Sequence, residues 1–233
     1  MAWSDTIDIN CDMGELADAE YEAALMEYIT SANSACGGHA GDDATMERTI
    51  RLALVRGVRI GAHPGYPDRA NFGRLEMAMA PAEIANTVRG QIERLDGIAR
   101  RLGGQVVHVK PHGALYNVAA RNREVACAIG EGVARWDAAV PLFGLAGSAG
   151  LDVWREMGLT AVGEGFADRR YEPDGTLRAR KFDDALITDP RKAAAQAVRL
   201  VQSGTAQTIC VHSDTTDALA ILKACRQALA ARA

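Results

Sequence analysis

Short runs of β-branched and apolar residues recur along this chain, each closing on Gly, Pro, His or carboxylate positions. Seven such runs read as strands, each followed by a stretch of helical character. Residues 6–11 run into Asp12, Gly14 and Glu15, and residues 29–36 into Gly37-Gly38-His39-Ala40-Gly41-Asp42. Residues 58–62 run into His63-Pro64-Gly65-Tyr66-Pro67-Asp68. Residues 106–109, interrupted by His108, meet Lys110-Pro111-His112-Gly113, then Tyr116 and Asn117. The last three runs are residues 142–146, before Gly147-Ser148; residues 161–164, before Phe166-Ala167-Asp168-Arg169; and residues 208–212, before Ser213-Asp214.

Amphipathic patterns fill the intervals. Residues 44–55 place Met46, Ile50, Ala53 and Leu54 on one face. Residues 82–102 space Ile84, Val88, Ile92, Leu95 and Ile98 by three and four, behind a Pro81 suited to an early helical position. Residues 191–201 and 217–229 read the same way, with weaker patterns near 17–28, 123–135 and 149–157. Alternating strand and helix implies parallel pairing with right-handed crossovers, and 233 residues over seven units gives about 33 per unit, as βαβ units require. Residues 166–185 form the longest irregular stretch, with a turn signal at Pro173-Asp174-Gly175; the length suits a lid or binding loop. No linker or repeat divides the chain, so one catalytic domain over residues 1–233 is expected. An open doubly wound sheet would gather its ligand groups at one switch point. Here almost every strand end is polar, which suits a barrel whose strand ends share one face. The expectation is α/β, a distorted (β/α) barrel of about seven parallel strands.

Composition narrows the function classes. Hydrophobic residues at 48% and charged residues at 24% fit a globular protein, and a net charge of −4 without a basic run gives no support to a nucleic-acid partner. Met1-Ala2-Trp3-Ser4-Asp5 lacks the layout of a signal peptide, and no apolar run approaches the roughly 18 residues of a membrane span. A cytoplasmic protein without a membrane partner is expected. The five cysteines are odd in number and form no C-x-x-C, so buried thiols are expected rather than disulfides or a thiolate zinc site.

The chemistry-bearing residues collect at the strand ends. His39, His63, His112 and His212 sit there, and His108 shares a strand side with Lys110. Asp8, Asp12, Asp42, Asp68, Asp168 and Asp214 lie near the same ends. Two readings follow: a His–carboxylate metal site with an open position for water, or metal-free acid–base catalysis in a dry pocket. No H-E-x-x-H motif decides between them. A desolvated Lys110 could lose its proton and act as base or nucleophile, or keep it and hold an oxyanion or phosphate. Arg74 and Arg169 are candidates to grip an anion by a bidentate fork. The glycine-rich turn at residues 36–42 matches no nucleotide-binding pattern but could offer N–H groups to an anion, with Asp42 capping the next helix. Gly147-Ser148 lacks the G-x-S-x-G elbow, which disfavours a serine triad.

Taken in order, several segments resemble the LamB/YcsF family. They are Asp8-Ile9-Asn10-Cys11-Asp12-Met13-Gly14-Glu15, Ser31-Ala32-Asn33 with Ala35-Cys36-Gly37, and His39-Ala40-Gly41-Asp42. Gly61-Ala62-His63-Pro64-Gly65-Tyr66-Pro67-Asp68, Phe72-Gly73-Arg74 and Val109-Lys110-Pro111-His112-Gly113-Ala114-Leu115-Tyr116-Asn117 continue the pattern. Glu164-Gly165-Phe166-Ala167-Asp168-Arg169 and Cys210-Val211-His212 complete it over almost the whole chain. The resemblance implies a distorted barrel akin to the glycoside hydrolase/deacetylase group. From the family's assignment as the A-type component of 5-oxoprolinase, it also implies ATP-dependent opening of 5-oxoproline (pyroglutamate) to L-glutamate, in a complex with two other subunits. The chain shows no ATP-binding motif, so those partners are expected to use the ATP and phosphorylate the lactam, which this subunit then hydrolyses. Asp12, His63, Lys110 and His112 form the implied catalytic set. Asp12 or His63 would activate water, and Lys110 and His112, with Arg74, would hold phosphate or the oxyanion. Asn10, Glu15, His39, Asp42, Tyr116, Asn117, Glu164, Asp168, Arg169 and His212 complete the implied substrate-binding set. The chain departs from the family pattern at Ser34, Gly38 and Asp43, near Asp184, and at Ser213 and Thr216 in the last strand segment. The rivals are a metal-dependent carbohydrate deacetylase or amidohydrolase, and a non-catalytic lactam-binding subunit; dependence on a divalent metal stays open.

Overall fold

Strand β1 (Asp8–Met13) alternates carboxylate or amide side chains with apolar ones, and a strand sends the two sets to opposite faces. Ile9, Cys11 and Met13 join the apolar core beneath the helices. Asp8, Asn10 and Asp12 turn the other way, into the lumen, where they bond Thr208 and Asn33 from other strands and Lys110 just past the fourth. The computed structural model describes residues 7–231, so residues 1–5 and Thr6 of the first expected strand lie outside the described residues.

Strands β2 (Ser31–Ala35), β3 (Arg59–His63), β4 (Val106–Val109), β5 (Leu142–Leu145), β6 (Ala161–Phe166) and β7 (Thr208–Cys210) follow β1 in sequence order, all parallel. Asp8, Ile9 and Asn10 pair with Thr208, Ile209 and Cys210, which closes the ring. Two seams distort the barrel. The β3–β4 register shifts between Ile60 and Gly61, and β4 meets β5 at the register pair Val109–Leu142. His108 fills the first seam, its Nε2 only 1.9 Å from where a Cβ on Gly61 would lie.

Eight helices surround this ring among the described residues: α1 (Ala19–Leu25), α2 (Asp43–Arg56), α3 (Pro81–Arg101), α4 (Gly113–Ala119), α5 (Arg123–Asp137), α6 (Ala149–Glu156), α7 (Pro190–Gln202) and α8 (Ala218–Ala230). Asp42, Asn122, Ser148 and Asp189 accept backbone N–H groups in the first turns of α2, α5, α6 and α7. Helix α3 starts on Pro81, Glu83 takes the Ala80 N–H, and the stripe Ile84, Val88, Ile92, Leu95 and Ile98 is buried as its spacing predicts. The described helices include none long and apolar enough to cross a membrane. All five cysteines are free thiols; Cys11, Cys36, Cys210 and Cys225 are buried as expected, and Cys127 is half-buried.

The differences from the sequence expectation gather at the barrel mouth. Strand β6 runs on through Phe166, and β7 stops at Cys210, so His212 stands in the loop beyond it. The segment after His112, expected as a polar strand end, winds into α4. Gly113 starts that helix with φ +53°, and a Cβ there would lie 2.6 Å from the Gly73 carbonyl oxygen. The irregular stretch before α7 is present, and two isolated bridges, Arg169–Leu186 and Tyr171–Leu177, fold it over the mouth.

Candidate active site

The C-terminal strand ends open on a cavity of about 710 Å³. Lys110, just past β4, forms its floor and is buried. Its Nζ donates to Asp12 Oδ1 at 2.8 Å, Cys210 Sγ at 3.1 Å and Asn10 Oδ1 at 3.3 Å, and lies 3.0 Å from Glu164 Oε1. Burial by itself would strip the ammonium of its proton. Asp12, Cys210 and Glu164 outweigh that and hold its pKa well above the ordinary value. Of the two roles open to Lys110, the surroundings favour the fixed cation over the neutral base. Burial would also raise the Asp12 carboxyl, but His63 and Lys110 hold it well below the usual carboxylate range.

Beside this ion pair three imidazoles meet one carboxylate. His63 Nδ1 donates to the Lys110 carbonyl at 2.7 Å, and His112 Nε2 to the Phe72 carbonyl at 2.9 Å. A carbonyl can only accept, so these partners assign the proton to those nitrogens. The remaining nitrogens, His63 Nε2 and His112 Nδ1, face each other at 3.0 Å. They lie 3.6 and 3.2 Å from Glu15 Oε1. His39 Nε2 reaches the same oxygen at 2.8 Å, and its ring stacks 3.5 Å from that of His112. Burial pushes His39 down to about 4, only partly offset by Glu15. Burial opposes protonation of His63 too, but Asp12 and Glu15 prevail and raise its pKa.

On the far wall, Asp168 accepts from the His212 N–H at 3.0 Å, from His212 Nδ1 and from Thr215 Oγ1 at 2.6 Å. Burial would raise Asp168, but His212 and Thr215 bring it to about 2, so it remains a carboxylate that fixes the His212 ring. Ser213 is buried, and the non-glycine residues with positive φ among those described are Phe72 and Asp217. The backbone at residue 213 therefore does not demand the glycine of the family pattern.

Asp12, Glu15, His63, Arg74, Lys110, His112, Tyr116, Asn117, Arg169 and His212 all line the cavity. Asn10 and Glu164 lie beneath Lys110, His39 behind Glu15, and Asp168 behind His212; these four touch the lining residues rather than the cavity itself. Asp42 corrects its place in the implied substrate-binding set, while its expected role as a helix cap is observed. It is exposed, outside the cavity, and its carboxylate caps α2 by accepting the Thr45 N–H at 2.8 Å. The glycine-rich turn also lies outside the cavity lining. Gly37 N–H bonds Ala40 O, Arg69 covers the Gly37 and Gly41 carbonyls, and a Cβ on Gly38 would meet Gln91 at 2.4 Å.

Arg180 also lines the cavity, although nothing in the sequence marks it. It lies in the irregular segment and grips Asp214 Oδ2 at 2.9 Å beside Arg74, which reaches the same oxygen at 2.5 Å. No spacing rule singles out one arginine in such a segment. Two groups have the donor atoms for a metal ion: Glu15, His39, His63 and His112, and Asp12, Cys210 and His212. Burial keeps the Cys210 thiol well above its ordinary pKa, even with Lys110 opposing, which makes the second set the poorer one.

Residues 7–233 match the LamB/YcsF family. A protein of Methylococcus capsulatus, named as the A-type component of 5-oxoprolinase, is 48% identical over 242 residues, spanning 97% of this chain and 93% of that protein. Its namesake from Chloroflexus aggregans is 47% identical over 241 residues, spanning 97% and 96%. Among solved structures, the lactam utilization protein of Thermus thermophilus superposes with a TM-score of 0.89 at 37% identity, covering 97% of this chain and 96% of that one. The catalytic domain of a peptidoglycan N-acetylglucosamine deacetylase from Eubacterium rectale shares the fold at a TM-score of 0.51 and 11% identity. The family match spans residues 7–233 and the relatives cover 97% of the chain, and on that ground the chain belongs to the LamB/YcsF family.

Proposed function

We propose that this chain is the lactam-opening subunit of an ATP-dependent 5-oxoprolinase, working with two partner subunits on 5-oxoproline. The relatives' name supports the subunit role. The observation that carries the chemistry is the buried Lys110 cation, held between Asp12 and Glu164 at the floor of a cavity lined by arginines and imidazoles. A five-membered lactam is a resonance-stabilised amide with little ring strain, so its opening needs activation. In this reading the partners spend ATP to phosphorylate the lactam oxygen, giving a C–O–P linkage and a C=N bond in the ring. Water then adds to the ring carbon, its proton passing to His63 or Asp12. The C–N bond breaks as nitrogen takes up a proton, and a second water releases inorganic phosphate from the acyl phosphate to leave glutamate. Lys110, His112 and Arg74 hold the phosphate and the developing oxyanion, where fixed charge in a dry site is most effective. Tyr116, Asn117, Arg169 and His212 position the substrate.

The test is glutamate release from 5-oxoproline and ATP with both partner subunits, measured with and without this chain. Release is expected only with the chain present. Release unchanged by its omission would overturn the reading.

A further inference from the structure

We propose that Glu15, His63 and His112 form a binding site for one divalent transition-metal ion of the zinc type, with His39 as the positioning residue that orients the Glu15 carboxylate. The argument starts from the protons. The carbonyls of Lys110 and Phe72 each take an N–H from an imidazole, which leaves two lone pairs, on His63 Nε2 and His112 Nδ1, directed at each other across 3.0 Å. Without a further proton between them, two acceptors at that distance repel, and the groups around them are acceptors as well: Asp12 Oδ2 lies 3.4 Å from His63 Nε2, and Glu15 Oε1 lies 3.6 and 3.2 Å from the two nitrogens. A cation at the centre turns this repulsion into coordination.

The spacing suits such an ion. Ligands about 2.0–2.1 Å from a tetrahedral zinc lie about 3.3–3.4 Å from one another. The three observed separations of 3.0, 3.2 and 3.6 Å bracket that edge. The supporting contacts are also those of a metal centre, where each ligand imidazole gives its other N–H to a carbonyl and the ligand carboxylate takes a hydrogen bond of its own. Here Lys110 O, Phe72 O and His39 Nε2 fill those places. His39 is itself excluded as a ligand, because its ring lies parallel to that of His112, with 2° between the planes at 3.5 Å. No point lies along both ring-plane lone pairs at once. Glu15, His63 and His112 all line the cavity, so the fourth position opens towards it, to water or a substrate oxygen. One carboxylate and two imidazoles select a borderline ion such as Zn²⁺ or Co²⁺ over Mg²⁺ or Ca²⁺.

With the ion bound, His63 Nε2 is a ligand and not a base, so the proton of the attacking water in the lactam reading falls to Asp12; the test reads binding alone, and its outcome is separate from that of the glutamate assay. The full chain, stripped with a chelator, is titrated with Co²⁺ and followed by its visible absorption. One Co²⁺ per chain is expected, with the intense bands of four- or five-coordination, displaced by Zn²⁺. Glu15→Gln and His112→Gln, each checked by circular dichroism, are expected to abolish these bands, and His39→Asn to weaken binding by about 10–100-fold. X-ray absorption of the Zn²⁺-loaded chain needs no variant and is expected to show two imidazoles in the first shell. No saturable binding at millimolar Co²⁺ or Zn²⁺ would mean that a shared proton satisfies the two nitrogens, and overturns the proposal. An all-oxygen shell, or bands unchanged in folded variants, overturns it equally.

Discussion

Lys110 holds its charge where water hardly reaches, and two carboxylates depend on it. Removing it by Lys110→Met fills much of the same volume but leaves Asp12 and Glu164 facing each other without a cation. Breaking a buried ion pair from one side costs about 3–5 kcal/mol. Urea denaturation is expected to show a loss of that order, and the assay with partner subunits to show glutamate release abolished. Near-normal release from the variant would remove Lys110 from the site. The sequence placed Lys110, His112 and His63 together because each follows a strand and precedes a break. The same rule over-read Asp42, since an aspartate before a helix looks alike whether it caps the helix or faces a ligand. What separates the cases is that Asp12 sits inside β1 with its side chain on the lumen face, whereas Asp42 lies beyond β2 in a turn pinned by Arg69.

At the scale of elements, the segment after β3 is the wall that fixes the imidazoles. Phe72 O holds His112, and Gly73 O takes the Ala114 N–H at the start of α4. Gly73 has φ +62°, and a Cβ there would lie 2.8 Å from His39 Cβ and 2.9 Å from His112 Cδ2. Gly73→Ala should therefore strain the backbone by roughly 1–2 kcal/mol and also displace both rings. Gly158 is a matched control, with φ +77° and nothing within 4 Å of an added Cβ. Melting temperatures of Gly73→Ala and Gly158→Ala are both expected to fall by a few degrees, while release falls by about 100-fold in Gly73→Ala alone. Equal activities in the two variants would mean that this wall does not position the site. The periodic α3 was legible because burial against the barrel leaves a stripe in the sequence. The short α4 was not, because its capping comes from Gly73 and Pro64, residues distant in sequence whose approach no local pattern records. Gly38 shows the same limit. It departs from the family pattern where Gln91, reaching across from α3 to bond Gly65, occupies the room a side chain would need.

For the molecule as a whole, the polar lumen makes stability depend on pH. His108 is fully buried against Phe143, gives its Nε2 proton to Asn33, and is pushed down to about 3 by burial. Asp8 pulls the other way, while Arg59 and Lys110 reinforce the shift. The folded chain thus refuses a proton that the unfolded chain accepts below about pH 6.5. Stability is complete above that pH and drains as pH falls towards 3. Asp168, at about 2 in the folded state, adds a loss of the same sign below its unfolded value near pH 4. The urea midpoint is expected to be level at neutral pH and to fall steadily from pH 6.5 to pH 4, with a shallower fall in His108→Gln. A wild-type midpoint unchanged over that interval would mean that His108 takes up its proton without cost.

By itself the sequence determined the alternation of strand and helix, the closed parallel architecture and the gathering of His63, Lys110, His112 and His212 at one mouth. Those features follow from local rules, namely side-chain periodicity, glycine and proline punctuation, and the parallel pairing that alternation enforces. Only the tertiary structure decided the states of the groups. The Lys110 charge comes from β1 and β6, the His63 and His112 tautomers from carbonyls outside their own strands, and the retreat of Glu164 and Asp168 behind other residues from the depth of each in the barrel. Charge and proton position depend on neighbours that closure of the ring brings together from up to 200 residues apart, as with Thr208 and Asp8. No single segment of the chain carries that information.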